Sequence, residues 1–252
     1  MSVYNLPDYR NKYFEHKDLD KIYGQPNIVS ICKLFKQGKR NAQCVPTTLG
    51  GGQTGYLFLY IEPATFLTIP GATAVIRPTD PGVFTPTAQN GVRAPPLTAA
   101  EIATQKLAYD ESKRHYNEVQ TVETALRKQI TDAIEEEFLQ PLRDPITDMI
   151  QCPIPDIFTF LRTTYGKLSI VQLKEKENDI DQLIYDPSCN VDTIFNKIQD
   201  FQDICVMIGN GKTNTQLVTY AYLIFKKTGI FMEGLKSWNA KPTADRTFVN
   251  FK

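Results

Sequence analysis

Apolar side chains recur at helical spacing along most of the chain. After Asn27, the positions Ile28, Ile31, Cys32, Leu34 and Phe35 put one apolar stripe on a helix over residues 27–42, with Lys33, Lys36, Lys39 and Arg40 flanking it. Thr98-Ala99-Ala100-Glu101 reads as a capping box, in which a hydroxyl and a carboxylate satisfy backbone N–H groups that the helix start leaves open. Tyr109, Tyr116, Val119, Val122, Leu126, Ile130, Ala133 and Phe138 follow it, largely at three- and four-residue steps. They predict one long helix, or two stacked end to end, over residues 99–138, with Pro141 and Pro145 ending it.

Shorter helices come next in quick succession. Asp156 is placed to cap a helix bearing Ile157, Phe158, Leu161 and Tyr165, stopped by Gly166. Ser169-Ile170-Val171-Gln172 is a second capping box, leading into Leu173 and Ile180, and Asp186-Pro187-Ser188 is a turn. Val191, Ile194, Phe195, Ile198, Phe201, Cys205 and Ile208 give the cleanest amphipathic pattern, ended by Gly209. Thr215 opens another helix with Leu217, Val218, Ala221, Tyr222 and Phe225, ended by Gly229, and Ile230, Phe231, Leu235 and Trp238 make a short last one.

Two stretches break the period. Thr48-Leu49-Gly50-Gly51-Gly52-Gln53-Thr54-Gly55 interrupts the chain, and the apolar run at residues 56–61 is too short to settle as strand or helix. Residues 62–97 hold Pro63, Pro70, Pro78, Pro81, Pro86, Pro95 and Pro96, which predicts a long extended loop. The expectation is an all-α protein with an N-terminal arm over residues 1–26. A helical domain over residues 27–150 carries the Pro-rich loop 62–97, and a second helical domain spans residues 151–252.

Composition narrows the chemistry. The 252 residues are 42% hydrophobic and 22% charged, enough for a buried core and too ordinary for a disordered tail. Formal net charge is zero, which argues against a strongly basic nucleic-acid binder. The zero is uneven: residues 1–60 carry eight Lys and Arg against four Asp and Glu, and residues 98–150 carry six against eleven. Five cysteines are widely spaced and form no CxxC pair, so reduced thiols in an intracellular protein are expected, with Cys32 and Cys205 packing in a core. No signal peptide and no run of roughly 20 apolar residues is present, so neither secretion nor a membrane is expected.

Gly209-Asn210-Gly211-Lys212-Thr213 ends like a phosphate-binding loop, but the full pattern puts a glycine where Val206 stands. A helix stop followed by a turn is the better account. His16 and His115 read as surface residues, and Glu135, Glu136 and Glu137, being consecutive on a helix, do not converge on one point. Hydrolase signatures such as GxSxG or HExxH are absent. No catalytic residue, metal ligand or cofactor is expected, and the chain reads as a non-enzyme.

One segment carries a resemblance. Val45-Pro46-Thr47-Thr48-Leu49-Gly50-Gly51-Gly52-Gln53-Thr54-Gly55-Tyr56-Leu57-Phe58-Leu59, with Pro70-Gly71 and Pro81-Gly82, resembles a motif of Gag-like capsid proteins of copia-type LTR retrotransposons (Pseudoviridae). Leu161-Arg162-Thr163-Thr164-Tyr165-Gly166, the segment from Thr215 to Tyr222, Trp238 and the run from Arg246 to Phe251 extend the likeness over roughly residues 20–252. The family's zinc knuckle and the retroviral major homology region are not recognisable. The resemblance implies a two-lobe helical capsid-like fold that self-assembles into virus-like particles enclosing the element RNA, in the cytoplasm. Its chief partner is then itself. Lys33, Lys36, Lys39 and Arg40 become candidates to face RNA, and Tyr109, Tyr116, Phe231 and Trp238 candidates for assembly contacts. The alternative is a monomeric helical adaptor, or a domesticated Gag-derived protein, that binds a partner protein.

Overall fold

A computed structural model describes residues 8–87 and 97–252. Eleven α-helices and no strand are found among the described residues, whose one ladder-type pairing is an isolated bridge between Ile22 and Ile134. The protein is therefore all-α. Contacts group it into two compact units: the residues up to Gly24 with Leu34–Ile157, and Gln25–Lys33 with Phe158–Lys252.

In the first unit the described part of the expected N-terminal arm, residues 8–24, is packed in place. Helix α1 (Tyr9–Tyr13) is capped by Asp8, whose carboxylate accepts from Asn11 N, and Tyr9, Phe14, Leu19 and Ile22 are buried. The segment has no period because its backbone hydrogen bonds go to distant elements. Asn41, fully buried on α2 (Ile28–Cys44), accepts from His16 N and donates to His16 O, both at 2.8 Å. Gln129 on α4 (Ala99–Asp132) donates to His16 O and Lys17 O and accepts from Asn41 at 2.9 Å. Ile22 N donates to Ala133 O, and Gly24 N to Glu135 Oε1. Each amide thus satisfies partly buried backbone groups of the irregular segment at residues 16–17.

After α2 the glycine-rich segment makes a short 3-10 turn at Leu49–Gly51, and residues 56–61 are wholly buried around a second one at Leu57–Leu59. Two glycines there are dictated by close backbone approach. A Cβ on Gly51 (φ +92°) would run into the carbonyl of Gly71, and one on Gly55 (φ +57°) into those of Ala42 and Gln43. Thr73 N donates to Gly50 O, locking the two glycine turns together. The expected extended loop instead opens with a short helix, α3 (Pro63–Phe66), where Pro63 sits in the first turn, a position that needs no N–H. Residues 72–87 are irregular, while residues 88–96, with Pro95 and Pro96, lie outside the described residues.

The capping box at Thr98 and Glu101 starts α4 as expected, but the helix stops at Asp132. The apolar period runs on to Phe138, yet Ala133 and Ile134 leave the helix to pair with Ile22, and a short α5 (Glu136–Leu139) follows. Every buried residue of α4 lies from Val119 onward; Leu107 is 71% exposed. Glu123 is 5% exposed and is held by Arg77 at 3.2 Å and Arg127 at 3.0 Å, which ties residues 72–87 to α4. Helix α6 (Ile154–Tyr165) begins two residues before Asp156, which sits in its first turn and is not its cap.

The second unit is built on α7 (Ile170–Gln182), α8 (Asp192–Met207) and α9 (Asn214–Thr228), followed by α10 (Met232–Asn239) and α11 (Phe248–Phe251). Capping boxes at Ser169 and Gln172, and at Thr213 and Gln216, start α7 and α9; Thr215, expected to open the latter, lies one residue inside it. Gly209 (φ +76°) and Gly229 (φ +71°) terminate α8 and α9 in left-handed conformation. The core is aromatic-rich, with Phe195, Phe201, Phe225, Trp238 and Phe248 buried among Ile194, Ile198 and Ile224. Cys205 lies in this core, and Cys32 packs with Ile28 and Ile204.

Candidate functional site

The second unit presents an aromatic groove of about 400 Å³. Its walls follow from the helix order. Gly229 ends α9 and turns the chain so that Phe231 comes back against Phe225, edge to face at 5.1 Å. On α10, Trp238 meets Phe251 of α11 edge to face at 4.7 Å, and Gly234, without a side chain, leaves one side of the groove open. Two cations sit at the rim. Lys241 Nζ lies 5.2 Å from the Trp238 ring centre; Lys252 Nζ lies 6.0 Å from that of Phe195 and 4.0 Å from Asp192. No carboxylate is among the lining residues.

Phe231 and Trp238, two of the sequence-nominated assembly residues, thus share one surface feature. Tyr109 and Tyr116 sit elsewhere, on α4. Tyr109 is engaged within its own chain: its hydroxyl donates to Gly82 O at 2.7 Å, its ring packs on Phe84 at 5.3 Å, and Lys106 lies over it. Lys113 covers Tyr116 and pairs with Asp80 at 2.6 Å, and Gln105 exchanges two hydrogen bonds with the backbone of Thr87. These contacts hang residues 80–87 on the outer half of α4. Of the α2 cations nominated to face RNA, Arg40 pairs with Glu15 at 3.5 Å, Lys33 and Lys36 are engaged in interactions of their own, and Lys39 is half-buried.

Comparison with protein families, curated proteins and solved structures finds no match.

Residues 209–213 do not form a phosphate cradle. Lys212, its side chain 11% exposed, pairs with Glu177 at 3.1 Å, and its backbone N–H and C=O are clasped by the Gln202 amide. Tyr220 donates to the same carboxylate at 2.5 Å, and Lys174 pairs with it at 3.1 Å. The Tyr220 hydrogen bond, then the two lysines, hold the Glu177 carboxyl down to about 2, whereas burial and the Glu177 charge push the Tyr220 hydroxyl well above its ordinary range. Lys212 is therefore spent joining α7 to α9, and Thr213 is spent as a cap. Among the described residues no group of three or more His, Cys, Asp or Glu side chains is placed to hold a metal ion, and no helix is long and apolar enough to cross a membrane.

One feature of the first unit was not legible in the sequence. The turn at residues 144–149 is over-determined: Asp144 accepts from Ile146 N, Thr147 N and the Thr147 hydroxyl, and Arg143 donates to Asp148 O and Oδ2. Those bonds, the Thr147 N–H first, lower the Asp144 carboxyl below its usual range. Asp148 takes φ +55°, a conformation that Asp tolerates better than most residues. The turn presents Ile146, 92% exposed, beside the exposed Met149. Pro141 and Pro145 mark only the end of the preceding helix; nothing in the pattern marks Ile146 as outward-facing.

Proposed function

We propose that the chain is a structural Gag-type shell protein of a copia-like retrotransposon, whose activity is self-assembly into particles that enclose the element RNA. The observation that carries this reading is the distribution of apolar side chains left on the outside. Ile76, Val83 and Ile146 of the first unit and Ile170 and Val249 of the second are all largely uncovered. Identical copies would cover such residues economically, because repeated contacts can each be weak. The glycine-rich segment that carries the family resemblance serves here as a packed corner of the first unit, a role in keeping with a building block. The expected location is cytoplasmic, within particles.

The aromatic groove favours a second reading, a monomeric adaptor that takes one partner segment. Light scattering and electron microscopy of the purified chain at rising ionic strength separate the two. Growth into large, regular particles supports the shell; a strictly monomeric protein at high concentration overturns it and leaves the adaptor.

A further inference from the structure

We propose that the aromatic groove of one copy receives the turn at residues 144–149 of a second copy. This rests on the self-assembly reading and specifies its contact. The turn is a rigid knob: Ile146 stands clear of its own chain, and three hydrogen bonds to Asp144 fix the backbone that presents it. A preformed turn loses little conformational entropy on docking. The groove is the matching hole, with Phe231 and Trp238 as walls and room for one or two aliphatic side chains.

Charge sets the match. The knob carries Asp144, whose charge is stabilised by neutral donors of the turn, whereas Asp148 is already paired with Arg143 at 3.1 Å. The groove rim carries Lys241, which lies over the Trp238 ring, and Lys252, which is paired with Asp192. An apolar tip beside the Asp144 carboxylate therefore meets an aromatic floor beside the Lys241 ammonium, and burial strengthens that attraction. Knob and groove are different surfaces, so the contact is head to tail and propagates from copy to copy unless a ring closes.

The test uses two variants of the full chain. Ile146→Lys blocks the knob by removing its apolar tip and adding a charge like that of the rim. Gly234→Trp fills the groove; a side chain there meets nothing within 4 Å, and losing a helical glycine favours α10. Thermal unfolding near that of the unaltered chain shows that each folds, and Lys241→Glu replaces Gly234→Trp if the latter does not. The unaltered chain is expected to assemble, whereas each variant alone stays monomeric or needs about tenfold or more higher concentration, the loss of one buried aliphatic anchor. Mixed at high concentration, the two variants regain one complementary pair, so the weight-average mass from sedimentation equilibrium rises above that of either alone. If the unaltered chain assembles and folded variants assemble equally well, this contact is wrong while the shell reading stands. If the unaltered chain stays monomeric, both fail.

Discussion

Replacing Gly51 with alanine tests the claim that the glycine-rich segment is a packed corner. Two costs are expected there. Gly51 has φ +92°, and a left-handed conformation costs an alanine roughly 1–2 kcal/mol, partly offset by the reduced freedom of the unfolded chain. The new Cβ also collides with the carbonyl of Gly71, a backbone atom that cannot swing aside, and overpacking of this kind costs roughly 1–3 kcal/mol. Gly24, in the same unit, isolates the first cost: it has φ +69°, and a Cβ there meets nothing within 4 Å. Gly24→Ala should therefore cost about 1 kcal/mol and Gly51→Ala about 3 kcal/mol. For a unit of this size those values correspond to midpoint shifts of about 3 °C and about 10 °C. Urea and thermal unfolding followed by circular dichroism measure both. Equal losses for the two variants would refute the close approach between the turns at Gly51 and Gly71.

Two further perturbations follow from buried charge. The folded Glu177 carboxyl is held at about 2 against an ordinary 4.5, so the stability it contributes is fully present above 4.5 and is lost as pH falls from there toward 2. Glu177→Gln should flatten that acid limb and cost about 1.5–3 kcal/mol near neutral pH, the worth of a charged hydrogen-bond cluster, as read from denaturant titrations at several pH values. In the first unit, Glu123→Ala leaves Arg127, only 21% exposed at its side chain, without its carboxylate and should cost about 3–5 kcal/mol, whereas Arg77→Ala, at a 46% exposed side chain with Arg127 still paired, should cost about 1 kcal/mol or less. Similar losses for both would mean that Glu123 is not the buried hub.

How much of this was readable beforehand follows from where each residue finds its partners. The starts of α4 and α7 were legible because a capping box spans only four residues, whereas α9, expected to open at Thr215, starts from the box at Thr213 and Gln216; the stops at Gly209 and Gly229 were legible because a left-handed terminus favours one residue type. Residues 8–24 show no local period because their partners, Asn41, Gln129 and Ala133, lie far along the chain. The same pairing ends α4 early: Ile134 is apolar and in phase, so the pattern continued to Phe138 while the backbone did not. Tyr109 was nominated as an outward contact because its hydroxyl partner, Gly82, sits in the Pro-rich stretch, where spacing predicts nothing about contacts. The groove was half visible. Its rings fall at helical spacing and read as core, and Phe195 and Phe225 are core; Phe231 and Phe251 are only partly covered, which periodicity cannot distinguish from burial.

The balance between shell and adaptor turns on how many surfaces are left to cover. An adaptor uses one groove and leaves the exposed Ile76, Ile146, Ile170 and Val249 in solvent, as singly exposed apolar side chains commonly are, whereas a shell has copies to cover them. Burying one aliphatic side chain contributes about 1.5–3 kcal/mol, while associating two bodies costs roughly 4–15 kcal/mol. A single knob in a single groove therefore makes a weak pair. Several such contacts closing around one subunit add their contributions against a cost that rises more slowly, so assembly switches on over a narrow range of concentration. The interior matches that division of labour. The aromatic core of the second unit and the Asn41–Gln129 clasp of the first make each unit firm by itself, so that on the proposed shell reading the outer contacts need each be only weak.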